Sequence, residues 1–405
     1  MNKKNKGFTL VELLAVVVVL AIIVAIAMLQ VNRIIKKVKK DANDINKKQI
    51  VEAVKVCMLQ NNEEYCDDMT KLIDNNYLDE FENPYTKDNS NIKNDYIIVV
   101  DGDNVKVYGP ELKQNVLSKK DAYEYFTWCN NNKESKCVNG LSENGKKWLK
   151  EENDVLVFPD YVNTINGNFS NVDYNIDAII INNKTSVNAD FSGSTINLVK
   201  IDSGSIGNSK FKNSNIKKLI LGDAGSLSVG QEAFTGSTID YYEIKKGVIG
   251  WQSGQQAKIK KLVIGKEVTD MGGNTFSGTN IGELVIEAEN SKAAWNGNHT
   301  FRHGNACALG WDTGKKIDTV TIKESVKKLP KNMIANNVIV RYIAVGNLII
   351  EGDKNRFSVQ DLYDTGFNCD KIVSVLKGSD NEIDAQTCRS ITNNGKITTE
   401  NCKLQ

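Results

Sequence analysis

From about residue 150 onward the chain repeats one short phrase, and this periodicity restricts its fold more than any other feature. The phrase is visible in GNFSNVDYNIDAIIIN, ADFSGSTINLVKID, SKFKNSNIKKLILG, EAFTGSTIDYYEIKKG and NTFSGTNIGELVIEAE: a Phe, a small polar residue, Gly or Asn, an Ile, then a short Leu-x-Ile strand. Phe169, Phe191, Phe211, Phe234 and Phe276 hold its first position, while Leu198, Leu219, Leu262 and Leu284 open the strands. A unit of this length has one strand and one irregular turn, so it cannot bury its apolar side alone. Stacking neighbouring units makes the core continuous. The phenylalanines are therefore expected to lie over one another as an internal ladder, with Gly or Asn supplying left-handed turns. Such residues are core, and a recognition surface has to consist of the variable, exposed positions.

A connecting phrase recurs as well. LVFPDYVNTINGNF (156–169), LVIGKEVTDMGGNTF (262–276) and VTIKESVKKLPKNMI (320–334) share a strand, a turn, a Val, a later aliphatic residue and then the Phe-type mark. With units of roughly 20–23 residues, residues 150–377 resemble the BspA-like leucine-rich repeat of bacterial surface proteins. Two departures stand out: the unit near Trp251 lacks its Phe, and residues 287–319 hold a longer insertion.

The N-terminus carries a second constraint. Phe8–Leu29 is a run of 22 residues whose only charge is Glu12. As a helix it would span roughly 33 Å, enough to cross a hydrocarbon core of about 30 Å. A carboxylate one turn into such a helix costs on the order of 2.5–3.5 kcal/mol on insertion scales and needs a compensating reason. A secretory signal places its cleavage site after the apolar region; here the basic leader Met1–Gly7, with Lys3, Lys4 and Lys6, precedes it directly.

The motif Lys-Gly-Phe-Thr-Leu-Val-Glu-Leu-Leu at 6–14 resembles the class III signal of type IV pilins and pseudopilins. The resemblance implies that a prepilin peptidase cuts between Gly7 and Phe8 and methylates the new amino terminus on Phe8. It further implies that Phe8 and Glu12 act in filament assembly, the glutamate meeting the amino terminus of a neighbouring subunit. Arg33, Lys36, Lys37, Lys39 and Lys40 outnumber the leader lysines, and a count of flanking charge alone would put the following domain in the cytoplasm. The resemblance implies the opposite, a single-pass membrane protein before assembly and an extracellular filament or cell-surface component after it.

After the helix of 8–49, residues 50–110 read as a compact pilin-like head. Strands are expected at 96–100 and 104–109, joined through Asp101-Gly102-Asp103 as a hairpin. Asp101, Asp103 and Asn104 offer too few oxygens for a calcium cage, and a turn explains them. Residues 111–149 form a connector or cap, with helices expected over 117–129 and 141–150 that bring Trp128 and Trp148 to the first open edge of the repeats. Residues 378–405 form a Cys-containing C-terminal cap. The fold class expected is thus an α+β head on a long N-terminal transmembrane helix, followed by a β-rich leucine-rich-repeat solenoid.

Eight cysteines, at 57, 66, 129, 137, 307, 369, 388 and 402, all lie beyond the apolar helix, where disulfides are permitted. Proximity suggests Cys57 with Cys66 and Cys129 with Cys137. His299, His303 and Cys307 have a spacing that could suit a metal, but Gly304 breaks the helix this would need. No metal or cofactor is expected. Nucleophile-elbow, P-loop and dinucleotide motifs are missing, so an enzyme is not expected. The 51 basic and 50 acidic residues give no sign of a nucleic-acid partner.

The expected function is a minor pilin-like subunit that displays the repeats for adhesion or surface recognition. Its expected partners are prepilin peptidase, the membrane, other pilin subunits through the N-terminal helix, and a host, matrix or glycan ligand. The alternative is a pseudopilin of a secretion or DNA-uptake machine whose repeats act as a spacer or touch substrate.

Overall fold

The computed structural model describes residues 10–86, 92–111, 119–151, 155–170, 176–250, 252–271, 275–276, 279–287, 316–327, 343–351 and 367–377. They fall into two compact units, Met1–Gln114 and Asn115–Gln405.

The first unit is built on α1 (Leu10–Met58). Its C-terminal turns are amphipathic: Ile50, Ala53, Val54 and Cys57 recur at helical spacing and are buried. Against them pack α2 (Glu63–Cys66), α3 (Met69–Asp74) and α4 (Ile92–Asp95), together with β1 (Ile97–Asp101) and β2 (Asn104–Tyr108). Two of the short helices, α2 and α3, start at side-chain caps. Asn62 Oδ1 accepts from the Tyr65 amide at 2.9 Å and Asp68 Oδ1 from that of Thr70 at 2.8 Å, satisfying N–H groups that a helix start leaves open. The two strands pair antiparallel from Ile97↔Tyr108 to Asp101↔Asn104. Gly102 takes φ +58° in the tight turn, where a primed hairpin turn needs positive φ.

Polar contacts tie the hairpin and its following segment to the middle of α1. The Tyr96 hydroxyl donates to Asn43 Oδ1 at 2.8 Å, the Asn43 amide donates to Glu111 at 2.7 Å, and Lys47 pairs with Glu111. Burial pushes the Tyr96 phenol up to about 12.

The second unit opens with α5 (Lys119–Tyr125), β3 (Phe126–Trp128), β4 (Cys137–Leu141), α6 (Glu143–Glu151), β5 (Val155–Val157) and β6 (Thr164–Ile165). The helix expected over 117–129 ends at Tyr125. Phe126-Thr127-Trp128 consists of strand-favouring residues, and it pairs antiparallel with β4 instead. Trp128 on β3 stacks on Tyr161 at 6.0 Å, and Tyr125 at the end of α5 stacks on Trp148 of α6 at 4.9 Å.

From there the chain coils as a β-solenoid consistent with a leucine-rich-repeat domain: β7 (Ala178–Val187), β8 (Thr195–Ile206), β9 (Asn215–Leu221), β10 (Leu227–Val229), β11 (Thr238–Ile249), β12 (Lys258–Met271), β13 (Asn280–Ile286), β14 (Lys316–Ile322), β15 (Ile343–Ile350) and β16 (Phe367–Lys377). Every pairing among these ten is parallel. The longer strands belong to two rows of the sheet. Residues 195–201 of β8 pair with β9, and residues 204–206 pair with β10. The expectation of one strand per repeat is therefore corrected: several rungs carry two strand segments joined by a bend. Gly204 and Gly247 sit at such bends with φ +110° and +128°, and a Cβ there would lie 2.1 and 2.0 Å from a neighbouring carbonyl oxygen.

Register defines the inward row. Ile179, Val199, Leu219, Tyr242, Leu262, Leu284, Val320 and Leu348 lie side by side across the strands. Leu198 is therefore not the counterpart of Leu219; it aligns with Lys218 on the opposite face, and Val199 holds the core position. Neither do these leucines open the strands, since β9, for example, begins at Asn215, four residues before Leu219. Both Leu198 and Val199 are apolar, so composition alone could not separate them.

The phenylalanine ladder is present. Phe169, Phe191, Phe211 and Phe234 stack at 5.1, 4.9 and 5.3 Å between successive ring centres. Two residues after the ladder position the backbone is left-handed at Gly193, Asn213, Gly236 and Gln256. The unit near Trp251 does lack its Phe. Hydrogen bonding of the Phe234 amide to Ser253 O, and of the Gly254 amide to Thr275 O, puts Gly254 in that place. Tyr242 fills the gap from the strand row, 5.6 Å from Phe234 and 6.0 Å from Phe276.

Candidate functional site

The residues named from the signal motif lie at the start of the chain. Gly7 and Phe8 fall outside the described residues, as does the side chain of Glu12, whose backbone belongs to α1. Among the described residues, no helix is long and apolar enough to cross a membrane. The side chains of Glu12, Ala25, Ile26 and Leu29 lie outside that description. The apolar side chains described on this stretch, from Leu10 and Val11 through Val24 to Met28, are exposed.

Four cysteines are joined as two disulfides. Cys57 on α1 bonds to Cys66 on α2, with Cα atoms 5.7 Å apart, and Cys129 bonds to Cys137 across the β3–β4 connection, with Cα atoms 5.5 Å apart. Cys307, Cys388 and Cys402, with His299 and His303, lie outside the described residues, and Cys369 is placed only by its backbone in β16. Among the described residues no three His, Cys, Asp or Glu side chains gather to hold a metal.

The face of the solenoid sheet that points away from the core supplies the second candidate surface. Adjacent rungs are linked there by opposite charges: Lys217 with Asp240 at 3.1 Å, Lys261 with Glu283 at 2.8 Å, Lys246 with Glu267 at 2.7 Å and Lys323 with Glu351 at 2.7 Å. Lys218 lies over the Tyr241 ring, 4.9 Å from its centre. Cross-strand pairs of this kind hold register.

At the bend between the two strand rows this face becomes a buried charge cluster. Lys200, itself buried, pairs with Asp202 and, at 2.8 Å, with Asp223; Lys245 reaches Asp223 at 2.7 Å. Burial pushes the Asp223 carboxyl up, but Lys200 and Lys245 outweigh it and hold the group at about 2. Glu243 nearby is raised, because burial exceeds the pull of Lys245 and Lys218. Burial pulls Lys245 down, yet Glu243 and Asp223 bring it above its ordinary value. None of these residues was singled out from sequence. Their only sequence signal is a charged residue at an outward strand position, which looks the same whether the site is wet or dry.

The same face carries a groove of about 440 Å³ across the first residues of β11, β12 and β13. Thr238, Asp240, Lys258, Lys260, Asn280 and Asp318 form its rim. Register places Gly282 in one column with Lys260 and Asp318, between them. Gly282 lines the notch, and a Cβ there would come within 2.6 Å of the Lys260 carbonyl oxygen.

Comparison with known proteins agrees with both halves of this description. No curated protein and no solved structure matches the chain. Residues 187–304 match the family model of the BspA type leucine rich repeat region in six copies, and residues 2–28 match that of the prokaryotic N-terminal methylation motif.

Proposed function

We propose that this chain is a minor subunit of a type IV pilus or related filament that displays its repeats for adhesion or surface recognition. A pilin-type processing signal on the same chain as a solenoid larger than the head carries the reading. The methylation motif implies handling by a prepilin peptidase and assembly with other pilins. In this reading the apolar run 8–29 anchors the chain in the membrane before assembly, and Glu12 neutralises the amino terminus of Phe8 on a neighbouring subunit. A domain as large as 115–405 on every subunit would crowd a filament shaft, so a sparse or terminal position follows. The role is one of binding, with no catalytic step.

The decisive experiment labels the repeat region on isolated filaments and measures adherence with and without residues 150–405. Sparse or terminal labelling with lost adherence is the expected result. Even labelling along the shaft would sink the minor-subunit reading. Intact adherence with lost secretion or DNA uptake would replace it with the pseudopilin reading.

A further inference from the structure

We propose that the notch over Gly282 is a binding site for a neutral glycan, an assignment that deepens the recognition role above and rests on it. The groove offers hydrogen-bonding groups of every kind within one short span. Asp240 and Asp318 accept, Lys258 and Lys260 donate, and Asn280 and Thr238 do both. Carboxylates and ammonium groups alternate along it, since Asp240, Lys260 and Asp318 share one column of the sheet with Gly282. A polyanion would meet Asp240 and Asp318, and a polycation would meet the two lysines, so neither sign is matched. Sugar hydroxyls are uncharged and each can donate and accept, which suits a mixed array.

Size and spacing point the same way. A volume of about 440 Å³ lies in the usual range for small-molecule sites, about 300–1,000 Å³. Neighbouring rungs are separated by about 4.8 Å, and a glycosidically linked pyranose advances its chain by a little over one such step. Successive sugars laid across the strands would meet successive rungs. Asp240 is already held by Lys217 at 3.1 Å, so it is ordered before a ligand arrives, which lowers the cost of binding.

The test uses the detergent-solubilised full chain, titrated with cellotetraose and tetra-N-acetylchitotetraose, with sialylated and sulfated glycans and extended peptides as comparison ligands. Two variants accompany it: Asn280→Trp, which fills the groove from an exposed position, and Asp240→Ala. The expected result is binding of a neutral tetrasaccharide that weakens about tenfold or more in both variants, while their melting transitions match the wild type. Equal binding by both variants overturns the groove as the site. Binding confined to charged glycans or peptides overturns the ligand class, as does no binding at all. The adherence assay keeps the two readings apart. Adherence that requires residues 150–405 without any neutral-glycan binding removes this inference alone, whereas adherence independent of those residues removes the recognition role itself.

Discussion

The two units of this protein solve the problem of a small core in different ways. In the head, a short list of buried side chains, including Ile50, Val54, Leu72, Ile92 and Ile98, is closed by the Cys57–Cys66 bond. A core this small gains much from a cross-link that restricts the unfolded chain. In the repeat unit each rung buries its apolar row only against the rungs on either side, and aromatic rings run from one rung to the next. Stability there is a sum of neighbour terms. The comparison teaches that a local lesson learned in one unit should not transfer to the other.

The strongest way to break that contrast is Phe211→Ala. Phe211 lies between Phe191 and Phe234, and truncation of a buried Phe costs about 3–5 kcal/mol. Denaturant unfolding followed by one probe in each unit should show the repeat transition weakened and the head transition unmoved; equal losses in both would refute their independence. Next in size is Tyr242→Leu, which should cost about 2–4 kcal/mol by opening a cavity beside Gly254. Adding Gly254→Phe should recover part of that loss, although Gly254→Phe alone overpacks against Phe276, whose ring carbons lie 2.7 Å from a Cβ built at 254. A double-mutant cycle without favourable coupling would disprove the exchange.

Removing the head disulfide with Cys57→Ser and Cys66→Ser should cost about 2–3 kcal/mol for so short a loop. This time the head transition moves and the repeats hold. The smallest expected effect is Asp223→Asn, read as a pH dependence. The carboxyl of Asp223 is held at about 2 in the folded chain, below its ordinary 3.8. Its contribution is therefore complete above pH 3.8 and disappears as pH falls through about 2. Wild type and variant should differ at neutral pH and converge in acid. Glu243 has the opposite sign: its raised value makes the ionised form a cost that appears as pH rises, so Glu243→Gln should stabilise at neutral pH.

The legible parts of the fold were those where one residue type has one physical use. Phe169, Phe191, Phe211 and Phe234 marked the ladder because a recurring large ring among small polar residues has nowhere to go but the core. Gly102 between strands marked the hairpin for a similar reason of backbone geometry. Chemically equivalent neighbours carry no such mark. Leu198 and Val199 are adjacent and apolar, and only strand pairing separates them. Compensation was equally hidden: the missing Phe near Trp251 was plain, but its replacement by Tyr242 comes from a different position in the preceding rung. As for the candidate surfaces, the signal motif was read directly from 6–14, whereas the groove and the Lys200–Asp223–Lys245 cluster depend on which outward residues become neighbours across strands.

The long connection between Ile286 and Lys316 has a consequence for how such a chain varies. On either side of it β13 and β14 pair in register, Ile281 with Ile317 and Ile286 with Ile322, as though nothing had been inserted. Each rung thus behaves like a page in a bound book: material can be tipped in between two pages without altering the print on either. A lineage could lengthen or exchange the 287–315 segment, and so add a new surface, while the spacing of every other outward residue stays the same.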